Sequence, residues 1–294
     1  MCLILFAHKV HADYPLVLAA NRDELYTRAT APAAFWDDQP HIYGGRDLEQ
    51  GGSWLAITRS GRIAAVTNFR DGNAAKTSAR SRGELVGNFL RDAQAAPDYV
   101  NRVSKDAPAY NGFNLIAGDL DGLFYVSNRD SRVTAIAPGI HGLSNHLLNT
   151  PWPKVERGKQ ILASLMKTSA AELTDALFAA LADHARASDD ALPDSGVGIE
   201  RERLLAPAFI NTPTYGTRSS TVVLIDNHGQ VTHSERSFNE RGAPGLYRLG
   251  KWLDDHLPYE QAYAYYNRAI EADPDHAASR DALGYRRQGK QWVE

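Results

Sequence analysis

The chain has 294 residues, of which 43% are hydrophobic and 23% charged, with a formal net charge of −3 and one cysteine, Cys2. That length supports a core without disulfides, which a lone cysteine excludes within the chain. Lys and Arg are interleaved with Asp and Glu rather than gathered into a stripe, so the composition points away from nucleic acid and towards a reducing compartment.

The start, Met1-Cys2-Leu3-Ile4-Leu5-Phe6-Ala7, is apolar, but no basic segment precedes it and His8-Lys9 break it, which is not the pattern of a signal peptide. No other stretch approaches the ~18 uninterrupted apolar residues of a membrane span, so the expectation is a soluble, cytoplasmic protein. Residues 2–7 read as a strand, a polar turn follows at His11-Ala12-Asp13-Tyr14, and 15–20 read as a second strand. Residues 53–58 and 62–67 read as a β-hairpin turning on Gly61. Ser81 and Glu84 have capping-box spacing ahead of Leu85, Val86, Phe89 and Leu90, and Ser169 and Glu172 repeat it ahead of Leu173, Ala176, Leu177 and Ala180. Between these helices, 114–118 and 123–127 flank Asp121-Gly122, a strong two-residue hairpin signal. Residues 221–225 and 230–233 do the same around Asp226-Asn227-His228-Gly229. Hairpins in sequence with helices in separate runs predict an α+β fold of antiparallel sheets covered by helices.

Beyond about residue 245 the pattern becomes helical, with Ala262, Tyr265, Tyr266, Ala269 and Ile270 on one face, a stop at Asp273-Pro274, and a second helix through Ala277, Leu283 and Tyr285. The first of these looks like half of a tetratricopeptide repeat, and one repeat cannot bury its own face. The chain therefore divides into a main domain, 1–245, and a helical extension, 246–294, that docks on the domain or joins two copies of the chain.

Cys2 directly follows Met1, so removal of one residue would place a thiol and a free α-amine on the same amino acid. An α-amine titrates near ~7.7–8.0 and a thiol near ~8.5, so the amine can serve as the base that activates the sulfur. The plain alternative is a small apolar residue opening a buried strand. Other catalytic signatures are missing: no phosphate-binding or dinucleotide-binding glycine loop, and no G-x-S-x-G, since Gly142-Leu143-Ser144-Asn145 lacks the second glycine. The ten histidines have no metal-ligand spacing, and no cofactor motif is present. What remains is a set of short polar islands at the ends of apolar runs: Asn21-Arg22-Asp23-Glu24, Thr67-Asn68-Phe69-Arg70, Tyr110-Asn111-Gly112-Phe113-Asn114, Gly142-Leu143-Ser144-Asn145 and Tyr215-Gly216-Thr217-Arg218-Ser219-Ser220. Strand ends are where sheets present sites, although the same residues make ordinary turns.

The order and wording of these islands, together with Met1-Cys2, Gly52-Ser53-Trp54-Leu55, Arg82-Gly83-Glu84-Leu85-Val86 and Thr150-Pro151-Trp152, resemble the NRDE family, also called the transport and Golgi organisation 2 family, over residues 1–240. That family in turn is similar to the cysteine N-terminal-nucleophile hydrolases that cleave bile-acid conjugates and penicillin V. The resemblance implies a four-layer αββα sandwich. It implies Cys2 as nucleophile, Asn68 as oxyanion donor, Asn145 as a second active-site asparagine, Arg218 as a late active-site arginine, and Arg22 and Asp23 beside the thiol, with Asn21, Asn111, Asn114, Ser144 and Thr217 around the substrate. Arg22 and Asp23 are adjacent here, and strand neighbours point to opposite faces. Glu24 suits a surface pair with Arg28 or Arg46. The implied reaction is hydrolysis of a small acyl amide or thioester. The competing expectation is a carrier of haem, a lipid or acyl-CoA, in which Cys2 and His8 or His11 ligate haem iron and Phe6, Phe35, Trp36, Trp54, Phe69 and Phe113 line a hydrophobic site.

Overall fold

Alternation along the first strand sets the layers. A computed structural model describes residues 2–74, 80–238, 244–245, 286–288 and 291–293. In chain order it contains β1 (Cys2–His8), β2 (Leu16–Leu25), β3 (Thr30–Trp36), β4 (Gln39–Asp47), β5 (Leu55–Thr58), β6 (Ile63–Asn68), α1 (Gly83–Arg91) and α2 (Ala96–Asp106). There follow β7 (Phe113–Gly118), β8 (Leu123–Ser127), β9 (Asp130–Ala135), β10 (Gly139–Leu143), α3 (Pro153–Leu165), α4 (Ala170–Leu181) and α5 (Ile199–Leu205). The last elements are β11 (Tyr215–Ile225), β12 (Val231–Phe238), β13 (Pro244–Gly245) and a short hairpin of β14 (Arg286–Gln288) with β15 (Gln291–Val293). One antiparallel sheet has the order β10-β1-β2-β11-β12-β13 and the other β3-β4-β5-β6-β7-β8-β9.

With side chains at period two, Ile4 and Phe6 of β1 enter a central core with Ile57, Ile63 and Ile116 of the other sheet. Leu3, Leu5 and Ala7 face the other way, against Val155 and Leu162 of α3 and Leu177 of α4. The second sheet repeats the arrangement, with Ala64, Val66 and Leu115 packed under Leu85 and Phe89 of α1 and Val100 of α2. The result is the expected α+β fold of two antiparallel sheets, face to face, with helices on both outer surfaces. Phe6 is wholly buried at the centre, where truncation to Ala typically costs ~3–5 kcal/mol.

The hairpins fall where the turn residues placed them: Leu55 pairs with Ala65 across Gly61, which has φ +80°, Gly118 pairs with Leu123, and Ile225 pairs with Val231. Three expectations are corrected. The Asn21–Glu24 island lies inside β2 rather than after it, because β11 pairs with that strand out to Leu25 and keeps it extended. The Ser81–Glu84 capping box is not formed, since Arg82 occupies the N-cap and the Glu84 carboxylate is taken by Tyr110 and Arg80, both at 2.6 Å. In the second box, Ser169 donates to the Glu172 side chain at 2.8 Å without capping a backbone N–H. The predicted helices of 246–285 lie outside the described residues, and the described residues near the end of the chain are the β14–β15 hairpin.

Candidate active site

Cys2 opens β1 and stands directly opposite Arg22 of β2. Opposed residues of an antiparallel pair keep their Cβ atoms about 4.5–5.5 Å apart on one face. The Arg22 guanidinium therefore leaves the sheet beside the thiol, on the face that looks towards the second sheet. It is 5% exposed, lies over the Trp54 ring at 4.4 Å, and reaches Asp47 Oδ2 at 3.7 Å with one arm. Its other terminal nitrogen, Nη1, is buried with no hydrogen-bond partner. Trp54 is itself fixed against Gly45, where an added Cβ would sit 2.1 Å from the ring.

Asp23 points to the other face, as strand geometry requires. There Thr217 donates to Asp23 Oδ1 at 2.7 Å, and Tyr215 donates to the Asp23 carbonyl at 2.9 Å. Its backbone N–H, however, donates to the Cys2 sulfur. Burial raises the Asp23 carboxyl, against the pull of Lys154 and the Thr217 hydroxyl. Lys154, at the start of α3, is 6% exposed, donates to the Leu205 carbonyl at 2.9 Å, and is lowered by burial to about 8, an effect the Asp23 charge opposes. Burial likewise raises the Cys2 thiol, while Arg22 and the Asp23 N–H favour its thiolate.

Asn68 ends β6 across the cleft, and its orientation follows from its neighbour. The Asn145 amide Nδ2 donates to the Asn68 backbone carbonyl at 3.1 Å and to Asn68 Oδ1 at 3.0 Å, while Ser144 Oγ lies 3.3 Å from Asn145 Oδ1. A backbone carbonyl only accepts, so the Asn145 atom there is nitrogen and the Asn68 atom it also meets is oxygen. The Asn68 Nδ2 is left to donate elsewhere. Ser144 donates to the Cys2 carbonyl at 3.0 Å, and Thr67 donates to the Ser144 carbonyl at 2.7 Å, which ties the end of β10 to both β1 and β6.

Cys2, Arg22, Asp23, Trp54, Asn68, Arg82 and Asn111 line one open cleft of about 330 Å³. Among the residues expected at the site, six do not line it. Asn21 donates to the Leu181 and Ala208 carbonyls, both at 2.8 Å, and accepts from Ser220 of β11 at 2.6 Å, so its polar groups are spent away from the cleft. Asn114 is wholly buried between Tyr125 and Thr67 (2.7 and 3.1 Å). Thr217 sits beneath Asp23, with the Ile210 N–H donating to its hydroxyl at 3.0 Å. Arg218 is the extra residue of a β-bulge between Thr217 and Ser219, which turns its Nη1 to the carbonyls of Leu25, Tyr26 and Arg28 at 2.8, 3.1 and 3.2 Å. Ser144 and Asn145 act from behind Cys2 and Asn68. Glu24 pairs with Arg28, one of its two expected partners, at 4.0 Å, and both line the same cleft.

Two charged residues stand at the site that were not expected there. Arg82, whose Nη1 donates to the Gly112 carbonyl at 3.1 Å, is a helix N-cap residue that lines the cleft. Lys154 stands at a first helical turn, where a lysine ordinarily meets water. The haem ligand pair is not assembled: His8 is six residues along an extended strand from Cys2, about 20 Å away at ~3.3 Å per residue, and His11 lies beyond it. Phe6, Trp36 and Phe113 are core side chains, and Trp54 alone of the six aromatics lines the cleft. Among the described residues no His, Cys, Asp and Glu cluster of three or more is arranged to hold a metal, and no helix is long and apolar enough to cross a membrane.

Several solved structures are similar in outline. Penicillin V acylase from Agrobacterium tumefaciens matches with a TM-score of 0.45 and 10% identity over 81% of this chain and 91% of that one. The C2A mutant of conjugated bile acid hydrolase from Clostridium perfringens matches with a TM-score of 0.42 and 8% identity over 79% and 92%. Likenesses at this level carry no inference about activity. The sequence comparisons are stronger. The chain is 38% identical over 261 residues to the human transport and Golgi organization protein 2 homolog, covering 82% of this chain and 94% of that protein. It is 30% identical over 286 residues to the Drosophila melanogaster transport and Golgi organization protein 2, covering 87% and 97%. The profile described as Transport and Golgi organisation 2 matches residues 1–240, the stretch that holds β1–β12, α1–α5 and the Cys2 cleft. The chain belongs to the Transport and Golgi organisation 2 family.

Proposed function

We propose that the protein is a cysteine N-terminal-nucleophile hydrolase acting on a small acyl amide or thioester. The observation that carries this reading is the convergence on one cleft of the Cys2 thiol, the Arg22 guanidinium and an Asn68 amide nitrogen released for donation by Asn145. With Met1 removed, the Cys2 α-amine takes the thiol proton and the thiolate attacks the substrate carbonyl carbon. The carbonyl oxygen becomes an oxyanion that accepts from Asn68 Nδ2. Collapse of the tetrahedral intermediate expels an amine or thiol, protonated by the α-ammonium, and leaves an acyl thioester on Cys2. Water then attacks that thioester, its proton passing to the amine, and the acid leaves with the thiol restored. In this reading Arg22 stabilises the thiolate against the cost of burial, and Asp23, which attracts the N-terminal charge, holds the α-ammonium.

The carrier reading receives less support, because the cleft is polar and charged and only Trp54 of the six expected aromatics lines it. The test is turnover of a panel of thioesters and N-acyl amides by the wild type, Cys2→Ala and Cys2→Ser. Hydrolysis abolished in Cys2→Ala and strongly reduced in Cys2→Ser is expected. Equal turnover in all three proteins would remove Cys2 from the chemistry.

A further inference from the structure

The cleft has more positive charge than its own carboxylates use. Arg28 is fully engaged, with Asp47 at 2.6 Å, Glu49 at 3.4 Å and Glu24 at 4.0 Å. Arg80 is held by Glu84 at 2.6 Å. The Asp23 carboxylate, as distinct from its backbone, is turned to the far face of the sheet, where Thr217 donates to it. Two cations remain. Arg22 keeps a buried Nη1 without a hydrogen-bond partner while its face is locked on Trp54, and its nearest carboxylate, Asp47 at 3.7 Å, is shared with Arg28. Arg82 gives one nitrogen to the Gly112 carbonyl and has no carboxylate within 4.0 Å among the described residues. They enter the cleft from different layers, Arg22 from the strand beside Cys2 and Arg82 from the start of α1 above the opposite sheet.

A guanidinium that is 95% or so withdrawn from water and left with an idle donor is costly unless an acceptor arrives. An oxyanion with two or three acceptor oxygens is the group a guanidinium fork fits. We infer that Arg22 and Arg82 together form an anion subsite beside Cys2, so that the substrate is an amide or thioester bearing a carboxylate or phosphate near its scissile bond, with Arg82 the residue that selects for that charge. The inference deepens the hydrolase reading by naming its substrate class, but the subsite exists independently of whether Cys2 turns anything over.

The test uses the full chain with Cys2→Ala, so no thiol chemistry is needed, and reads tryptophan emission, because Trp54 lies against Arg22. Glutarate and inorganic phosphate are titrated separately, with neutral glutaramide as control. Saturable quenching by one or both anions but not by glutaramide is expected, lost on Trp54→Phe and weakened ~10-fold or more by Arg82→Leu, with Arg82→Lys restoring part of it. Glutarate alone would assign a carboxylate, phosphate alone a phosphate. The response should weaken as salt rises. No saturable response to either anion, or equal binding by the wild-type Arg82 and Arg82→Leu proteins when both retain native circular dichroism, would overturn the inference. Failure of Cys2→Ala to lose hydrolysis would overturn the hydrolase reading and leave the anion titration as it stands.

Discussion

Glu202→Gln is a nearly isosteric change that removes one charge from a buried pair behind the cleft. Arg70 follows β6 and Glu202 lies on α5, with side chains 5% and 2% exposed and Arg70 Nη1 3.0 Å from Glu202 Oε2. The two atoms are not aligned as a hydrogen bond, so their attraction is mainly Coulombic. At 3.0 Å that is on the order of 5 kcal/mol gross with an effective dielectric of ~20, before desolvation is subtracted. Burial lowers the Arg70 pKa, an effect the Glu202 charge opposes, and the guanidinium also lies on Trp152 at 4.3 Å. Ser195 donates to the other Glu202 oxygen through its N–H at 3.0 Å and its hydroxyl at 2.5 Å, contacts that the glutamine oxygen can retain. Glu202→Gln therefore isolates the charge and leaves Arg70 buried without a counter-ion, a situation that costs ~3–5 kcal/mol. Arg70→Met should cost a similar amount, whereas the double variant removes both charges and should recover at least ~2 kcal/mol of the summed loss. Urea unfolding at neutral pH followed by tryptophan emission measures all three, with unchanged slopes required for the comparison. A Glu202→Gln loss below ~1 kcal/mol, or a double variant equal to the sum of the singles, would mean that the two charges do not stabilise each other. Because the Arg70 N–H donates to the Asn145 carbonyl at 2.7 Å, a destabilised pair should also loosen Asn145.

Three further outcomes are expected. Asn68→Ala should lower turnover ~10²–10³-fold with little change in Tm, and Asn145→Ala should lower it through the lost orientation of Asn68; unchanged turnover in Asn68→Ala would end its oxyanion role. Gly52→Ala should destabilise by ~1–3 kcal/mol, since its Cβ would lie 2.5 Å from the Gly83 carbonyl carbon and must displace the start of α1 that carries Arg82; a Tm equal to wild type would contradict that packing. His233 is wholly buried and lowered by burial to about 4 from an ordinary 6.5, so the unfolded chain binds the extra proton first and stability falls as pH drops through that window. The loss, on the order of 3 kcal/mol, should be smaller in His233→Phe when urea midpoints at neutral and acid pH are compared, and an acid limb identical to wild type would remove His233 as its cause.

The parts of this molecule that could be read from its residues are those set by local chemistry. Gly61, Asp121-Gly122 and Asp226–Gly229 dictate tight turns, and the strands on either side pair in the register those turns impose. β3 and β4 were hidden because Pro32 and Gly44-Gly45 interrupt any alternation. Gly44 is required there, as a Cβ would lie 2.7 Å from the Leu55 carbonyl oxygen of the neighbouring strand. α2 and α3 lack the Ser and Glu spacing that marked other helices and begin instead with proline in the first turn. At the site, Cys2 and the facing directions of Arg22 and Asp23 were legible from position and strand period. Arg82 and Lys154 were not, because their roles depend on burial and on which layer they meet. Arg218 lies off the cleft for a related reason: one inserted residue in β11 redirects it to backbone carbonyls, and a bulge leaves no mark in the residue order.

The measurement that bears most directly on the central claim is the intact mass of the purified protein before and after brief exposure to thioesters and N-acyl amides, with Cys2→Ala alongside. With Cys2 as an N-terminal nucleophile, the mass lacks Met1 and an acyl adduct appears in the wild type, decays with product release, and is absent from Cys2→Ala. A protein that keeps Met1 and forms no adduct with any donor would contradict it.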